Sequence, residues 1–405
     1  MAQILRFPKS NWPLRRADSL SHLIAAVSCH RHAQEDVYWL KENAELLNVL
    51  ECTAQAAGTG GAAGRRDLAG IDPAALETLR AFYAGADRHL CFFRQYYRFV
   101  LSICMDLEDL GLVDTELGEP GDLGTGYIDT GNIHAGPLSS TGRGEALAEW
   151  VMQQDLPSHE VSDLQRAEAR RLVARRGLVL DFPGLDQRLH AFADNSAQFA
   201  VPNRKAAYEL THIVFYLSDY GRRAPELSPA AVQSLTHVGL LAFLDQDADL
   251  LSEVCVSLRY CGETPSAIWE DWLTRHHQGF ALLEADKAAA PPLSRDDYHM
   301  YVVSSWHQAL CAGSCFDERI PKGALRFQRP AQQGVLHQLS QAVFQVGAQA
   351  GDWQALRAQI SARLSESTYE VLCAAERSSA GFETFFEAFA RRGIAGGPVA
   401  RVKNA

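Results

Sequence analysis

Apolar side chains in this chain recur at three- and four-residue spacing, and no series of short alternating runs separated by hairpin dipeptides interrupts the pattern. A strand that buries one face must alternate with period two, whereas a helix packed on a core repeats near 3.6. Glu35–Gln55 illustrates the rule, with Val37, Leu40, Ala44, Leu47 and Leu50 on one helical face. The spacing predicts an all-α fold. Further helices are expected at Ala86–Leu110, where Phe92, Phe93, Tyr96, Tyr97 and Phe99 would be buried, and at Glu145–Gln154, His159–Arg176 and Leu185–Asn195. A dense helical series should follow: Asn203–Tyr220, Ser228–Leu244, Ala248–Cys261, Ser266–Leu283, Asp296–Cys311 and Ala331–Gly347, with a last helix near Gly381–Arg392. Helices in strict succession with short connections form either a superhelical solenoid or a closed double ring. No fixed-period repeat is present, which disfavours the named solenoids.

The texture changes from Gly111 to Gly144, where glycine, proline, aspartate, threonine and serine replace the helical pattern. The expected organisation is therefore an N-terminal helical region at 1–110, a Gly-rich loop or linker at 111–144, and a C-terminal helical toroid-like domain at 145–395.

With 38 Lys and Arg against 49 Asp and Glu, the net charge of −11 repels a phosphate backbone. The basic clusters are short: Arg15–Arg16, Arg65–Arg66 and the helical set Arg166, Arg170, Arg171, Arg175 and Arg176. No nucleic-acid partner is expected, and no run of about 18 apolar residues predicts a membrane span. The N-terminal stretch lacks the apolar core of a secretion signal, and the nine cysteines are an odd number, so reduced thiols in a cytoplasmic protein are the expectation.

Asn203–Tyr220 is the most informative segment. Advancing about 100° per residue, Ala206, Leu210, Ile213, Val214 and Leu217 form one apolar stripe, and Tyr208, His212, Phe215 and Asp219 gather on the opposite side. A surface helix would place lysine and glutamate there. Aromatics with histidine and aspartate instead describe a helix covered on both sides, either lining a polar cavity as an inner-ring helix or buried in an ordinary core.

The string from Glu209 to Gly221 also resembles the T-H-x-x-F-x-L-[ST]-D-[FY]-G motif of an uncharacterised family of bacterial all-helical proteins found in specialised-metabolite gene neighbourhoods. Asp247–Gly262 and the helix opening at Tyr298-His299 are similar to that family as well, whereas His276–Gly279 departs from its D-G turn. The similarity spans about Lys205 to Cys311. It implies an (α/α) toroid like those of terpenoid and lanthipeptide cyclases, and carries no assigned chemistry.

Other polar constellations have simpler structural explanations. Asp245-Gln-Asp-Ala-Asp249 is no calcium loop, because Leu250 and Val256 stand where glycine and glutamate are needed, and it reads as an acidic helix start. Asp106-Leu-Glu-Asp109 reads as a helix end. Glu209-x-x-His212 lacks the second Glu-x-x-His of a di-iron site. No metal ligand is assigned. His307 and Cys311, one turn apart, would supply two of the three or four ligands that zinc requires; Cys315 lies a turn further, and His212, Cys255 or Cys261 would complete the set. No phosphate loop, dinucleotide fingerprint or nucleophile elbow is present.

Together with the family resemblance, the residues lead to the expectation of a tailoring or cyclase-like enzyme of bacterial specialised metabolism, acting on a small-molecule or peptide substrate in a central helical cavity. His212, Asp219 and His299 would be catalytic, with Tyr208, Phe215 and Tyr298 binding substrate. An imidazole titrates near neutrality in water, which makes His212 the expected proton-transfer group. Asp219 lies two turns on, about 10 Å along the axis, and would position substrate. The competing class is a non-catalytic helical scaffold that binds a peptide or a partner enzyme.

Overall fold

Capping chemistry sets the helix starts that matter most. Asn203, Ser228 and Asp247 each accept from the backbone N–H three residues on, opening the helices Arg204–Leu217, Pro229–Asp245 and Ala248–Tyr260. Ser162 and Gln165 form a reciprocal capping box at the start of Asp163–Ala174. The computed structural model describes residues 16–56, 68, 70–114, 142–285, 296–313, 315–346 and 352–390. These are mainly α-helical, with two four-residue strands, Ala281–Glu284 and Leu325–Gln328, paired antiparallel with Ala281 opposite Gln328.

Six helices touch in succession. Val37–Ala56 packs on Tyr97–Asp109, which packs on Asp163–Ala174, then Arg204–Leu217, Ala248–Tyr260 and Tyr298–Ala312, and the last returns to Val37–Ala56. The intervening helices Arg143–Gln153, Leu185–Ala193, Pro229–Asp245 and Ala267–Gln278 each pack against their chain neighbours among the six. Apolar burial divides into two clusters. One joins Leu23, Trp39, Leu47, Leu101 and Leu172 to Phe215, Tyr301 and Phe327; the other joins Leu210, Leu251 and Trp269 to the C-terminal helices through Trp353 and Phe386.

Hydrogen bonds tie the start of the chain to a segment 300 residues away. Arg16 Nε donates to the Cys315 carbonyl (3.0 Å), Ser19 Oγ to the Glu318 carbonyl (2.8 Å) and His22 Nδ1 to the Ile320 carbonyl (2.7 Å). Arg31 bridges Glu42 and Asp296, with a 2.6 Å contact to each.

Two helix expectations change. The aromatic segment is not one helix: the chain leaves the helical path at Phe93 (φ −99°, ψ 39°), so that Phe93 and Tyr97 turn inward and Phe92 is left 75% exposed. The helix expected over Ser266–Leu283 ends at Gln278, because the chain beyond Gly279 pairs with Leu325–Gln328. Residues 115–141, most of the Gly-rich stretch, lie outside the described residues, as do Arg15, Arg65 and Arg66. Among the described residues, no helix is long and apolar enough to cross a membrane. The arginine-rich helix offers no free basic stripe: Arg166 pairs with Asp163, Arg170 with Asp186, Arg171 with Asp219, Arg175 with Asp106 and Asp109, and Arg176 with Glu108 and Asp109.

Candidate functional site

All six helices line a cavity of about 300 Å³, with Glu45, Asn48, Arg171, His212, Glu253 and His299 as its polar lining and Phe215, Tyr216, Tyr220 and Trp306 as an aromatic wall. That volume stands at the lower end of the roughly 300–1,000 Å³ range of small-molecule sites. Trp306 stacks on Tyr220 and tilts against Phe215, with ring centroids 5.6 and 4.7 Å apart. Arg171 lies over one face of the Tyr220 ring, its guanidinium 4.5 Å from the ring centre. A smaller cleft of about 80 Å³ near Pro202 and Leu241 is mainly apolar and brings no histidine to its wall.

Two histidine–carboxylate pairs meet the cavity, and their carboxylates are one turn apart on one helix. His299 Nδ1 donates to Asp249 Oδ1 at 2.8 Å, and its Nε2 lies 3.7 Å from Glu45. Burial opposes charge on this ring, but attraction to Asp249 and Glu45 outweighs it and lifts the imidazole to about 10. The 35% of the His299 side chain that is exposed belongs to a ring on the cavity wall. Asp249 accepts a second hydrogen bond, from the Tyr208 hydroxyl at 2.5 Å. Burial would raise its pKa, but the charge of His299 and these hydrogen bonds hold the carboxyl below the usual range.

Glu253 is the counterpart. It is 2% exposed, and its Oε2 accepts from the Thr211 hydroxyl at 2.5 Å and lies 3.8 Å from His212 Nδ1. Burial raises its pKa, and Asp249 adds to the effect, more than His212, His299 and Thr211 lower it. His212 Nδ1 is 2.7 Å from the Tyr208 carbonyl, which can only accept. A proton therefore sits on Nδ1, which leaves Nε2 as the one ring nitrogen able to accept a proton. Among the described residues Nε2 has no hydrogen-bond partner.

Of the residues singled out from the sequence, His212, Phe215 and His299 are brought together on the cavity wall. Tyr208 stands behind it, holding Asp249. Asp219 does not line the cavity: in a left-handed turn (φ 48°) it pairs with Arg171 at 3.1 Å and Arg222 at 3.2 Å. Tyr298 also points elsewhere, donating to the Glu42 carbonyl at 2.8 Å beneath the Arg31 guanidinium. His307 and Cys311 share a face, as spaced, but the group beside them is Glu270 rather than His212, Cys255 or Cys261. Cys315 turns away toward Arg16 and Thr53.

Sequence reasoning missed Glu253, Asp249 and Glu45. For Glu253 a signal existed: a carboxylate in the run Leu250-Leu-Ser-Glu-Val-Cys-Val256, otherwise apolar or small, is out of place on a buried helix unless it has a partner. The acidic turn reading holds for Asp247, which caps its helix and pairs with Arg204 at 2.9 Å, whereas Asp249 belongs to the site.

No curated protein and no solved structure matches this chain. One family model does, over residues 1–392, so the chain belongs to the uncharacterised family described as Domain of unknown function (DUF6902).

Proposed function

We propose that the chain is an enzyme that moves protons on a small molecule held in the cavity. The carrying observation is the pairing of a neutral-leaning carboxyl, Glu253, with an imidazole, His212, whose unpartnered Nε2 is the ring nitrogen able to take a proton, on the wall of a cavity large enough for a ligand. A carboxyl that burial disposes to keep its proton, beside an imidazole nitrogen free to accept one, is the arrangement of a general acid–base pair. Glu253 gives a proton to one atom of the substrate and His212 Nε2 takes a proton from another. The substrate's net charge is unchanged, which suits isomerisation, elimination or ring closure with no electron acceptor. Both groups are then reset through solvent. His299, held charged by Asp249 and Glu45, stabilises negative charge that develops nearby. Phe215, Tyr216, Tyr220 and Trp306 bind an apolar or aromatic body by its faces.

A tailoring or cyclase-like role in bacterial specialised metabolism is the finer form of this reading, and rests on the motif around His212. The architecture that goes with it is an (α/α) toroid-like double ring. Six helices in mutual succession, alternating along the chain with the intervening ones, support that arrangement, and Val37–Ala56 then closes the ring from the N-terminal region. Converging polar groups in the centre favour an enzyme over a scaffold, whose ring centre would be filled.

The test is a library of small apolar acids, terpenoids and aromatic compounds incubated with wild type, His212→Ala and Glu253→Gln, read by untargeted chromatography and mass spectrometry. At least one compound should change mass or retention time with wild type alone, while both variants keep melting temperatures within a few degrees. Conversion that persists in both variants, or a loss that tracks unfolding, contradicts the assignment.

A further inference from the structure

Away from the cavity, Glu270, His307 and Cys311 bring one ligand atom each to a common point. Cys311 Sγ is 3.2 Å from His307 Nε2 and 3.3 Å from Glu270 Oε1, and the nitrogen and oxygen are 3.6 Å apart. We propose that these three side chains form a zinc site with an open fourth position. A tetrahedral ion with Zn–N and Zn–O bonds of about 2.0–2.1 Å and a Zn–S bond of about 2.3 Å has ligand–ligand edges of roughly 3.3–3.6 Å. Pair by pair, the N–O edge of such an ion is roughly 3.3 Å and the two edges to sulfur roughly 3.6 Å, so each observed separation must adjust by about 0.3–0.4 Å to seat the ion.

The elements explain why the triangle forms. His307 and Cys311 are i and i+4 on Tyr298–Ala312, and Glu270 faces them from the first turn of Ala267–Gln278, which packs alongside. His307 is fully buried, and Cys311 is exposed, so the vacant corner of the tetrahedron opens to solvent. A water there gives the three-ligand arrangement of zinc sites that do chemistry.

The same residues do not make a cysteine–histidine–acid relay. In a relay the acid holds one ring nitrogen while the thiol meets the other. Here acid and thiol both meet Nε2, and Nδ1 faces the Gln308 amide at 3.3 Å. Zinc on Nε2 requires a proton on Nδ1, so Gln308 must present its oxygen to it. A half-turn of the amide does this and keeps Thr274 in reach, since that hydroxyl both donates and accepts. Arg259 donates to Glu270 Oε1 from Nε at 3.0 Å and from Nη2 at 2.5 Å, fixing the carboxylate in the manner of an outer-shell partner.

Cobalt(II) is the probe, because a cobalt–thiolate bond gives a charge-transfer band that zinc bleaches on displacement. Titrated into the chelator-treated full chain, it should bind at one equivalent with that band. Cys311→Ser, at an exposed position, should abolish the band while leaving the far-ultraviolet circular dichroism and melting temperature unchanged. Glu270→Gln should weaken binding at least tenfold. No band in the folded wild type overturns the proposal. So does a band that survives in Cys311→Ser, which would assign the thiolate to another of the nine cysteines.

Discussion

At the residue scale the site is a division of labour between two carboxylates four positions apart on one helix. Asp249 is ionised and holds His299 charged; Glu253, with no full cation bonded to it, keeps its proton more readily. The consequence for stability has a definite sign. His299 is raised from 6.5 to about 10, so the folded state binds the extra proton and the stabilisation is fully present below pH 6.5. It declines as pH rises and is lost above about 10. Urea denaturation of wild type and His299→Gln at pH 6, 8 and 10 should show a wild-type advantage that shrinks stepwise; a constant gap would mean that the ring is not charged in the fold. His212, Phe215 and His299 were legible because helical spacing alone sets their face. Their carboxylate partners were not, since the Asp249–His299 and Glu253–Thr211 contacts join residues 50 and 42 positions apart.

At the element scale, spacing and caps mark helices well and short strands poorly. Ala281-Leu-Leu-Glu284 reads as a continuation of the preceding helix. What makes it a strand is the partner at 325–328, which no local pattern announces. The turn that ends the His212 helix is set more tightly. Gly221 sits at φ +86°, and a Cβ there would lie 2.3 Å from the Tyr260 ring. Tyr260 in turn receives the Trp306 indole N–H at 3.1 Å, so a shifted ring disturbs the cavity wall. Gly221→Ala combines backbone strain with overpacking and should cost about 2–4 kcal/mol, read as a lowered urea midpoint. Unchanged stability would show that the turn relaxes at no cost.

At the scale of the whole molecule, distant parts of the chain are joined by buried ion pairs as well as by apolar contact. Arg31 and Asp296 are almost fully buried, and Glu42 nearly so, and this triad links the first helices to the start of the His299 helix. Removing the cation strands two carboxylates, so Arg31→Met should cost about 3–5 kcal/mol. Denaturant midpoints give the check, and a change below 1 kcal/mol would make the bridge incidental. That closure keeps Glu45 and Lys41 on the cavity wall with Glu253, so the proposed proton chemistry depends on parts of the chain more than 200 residues apart. The proposed function requires Glu253 to hold its proton to higher pH than an ordinary glutamate does. Carbon-13 titration of the glutamate side-chain carboxyls, with Glu253→Gln to assign the resonance, measures this directly. A Glu253 carboxyl that titrates above the ordinary 4.5 is the expected result; one that titrates at or below 4.5 would leave the cavity without its general acid.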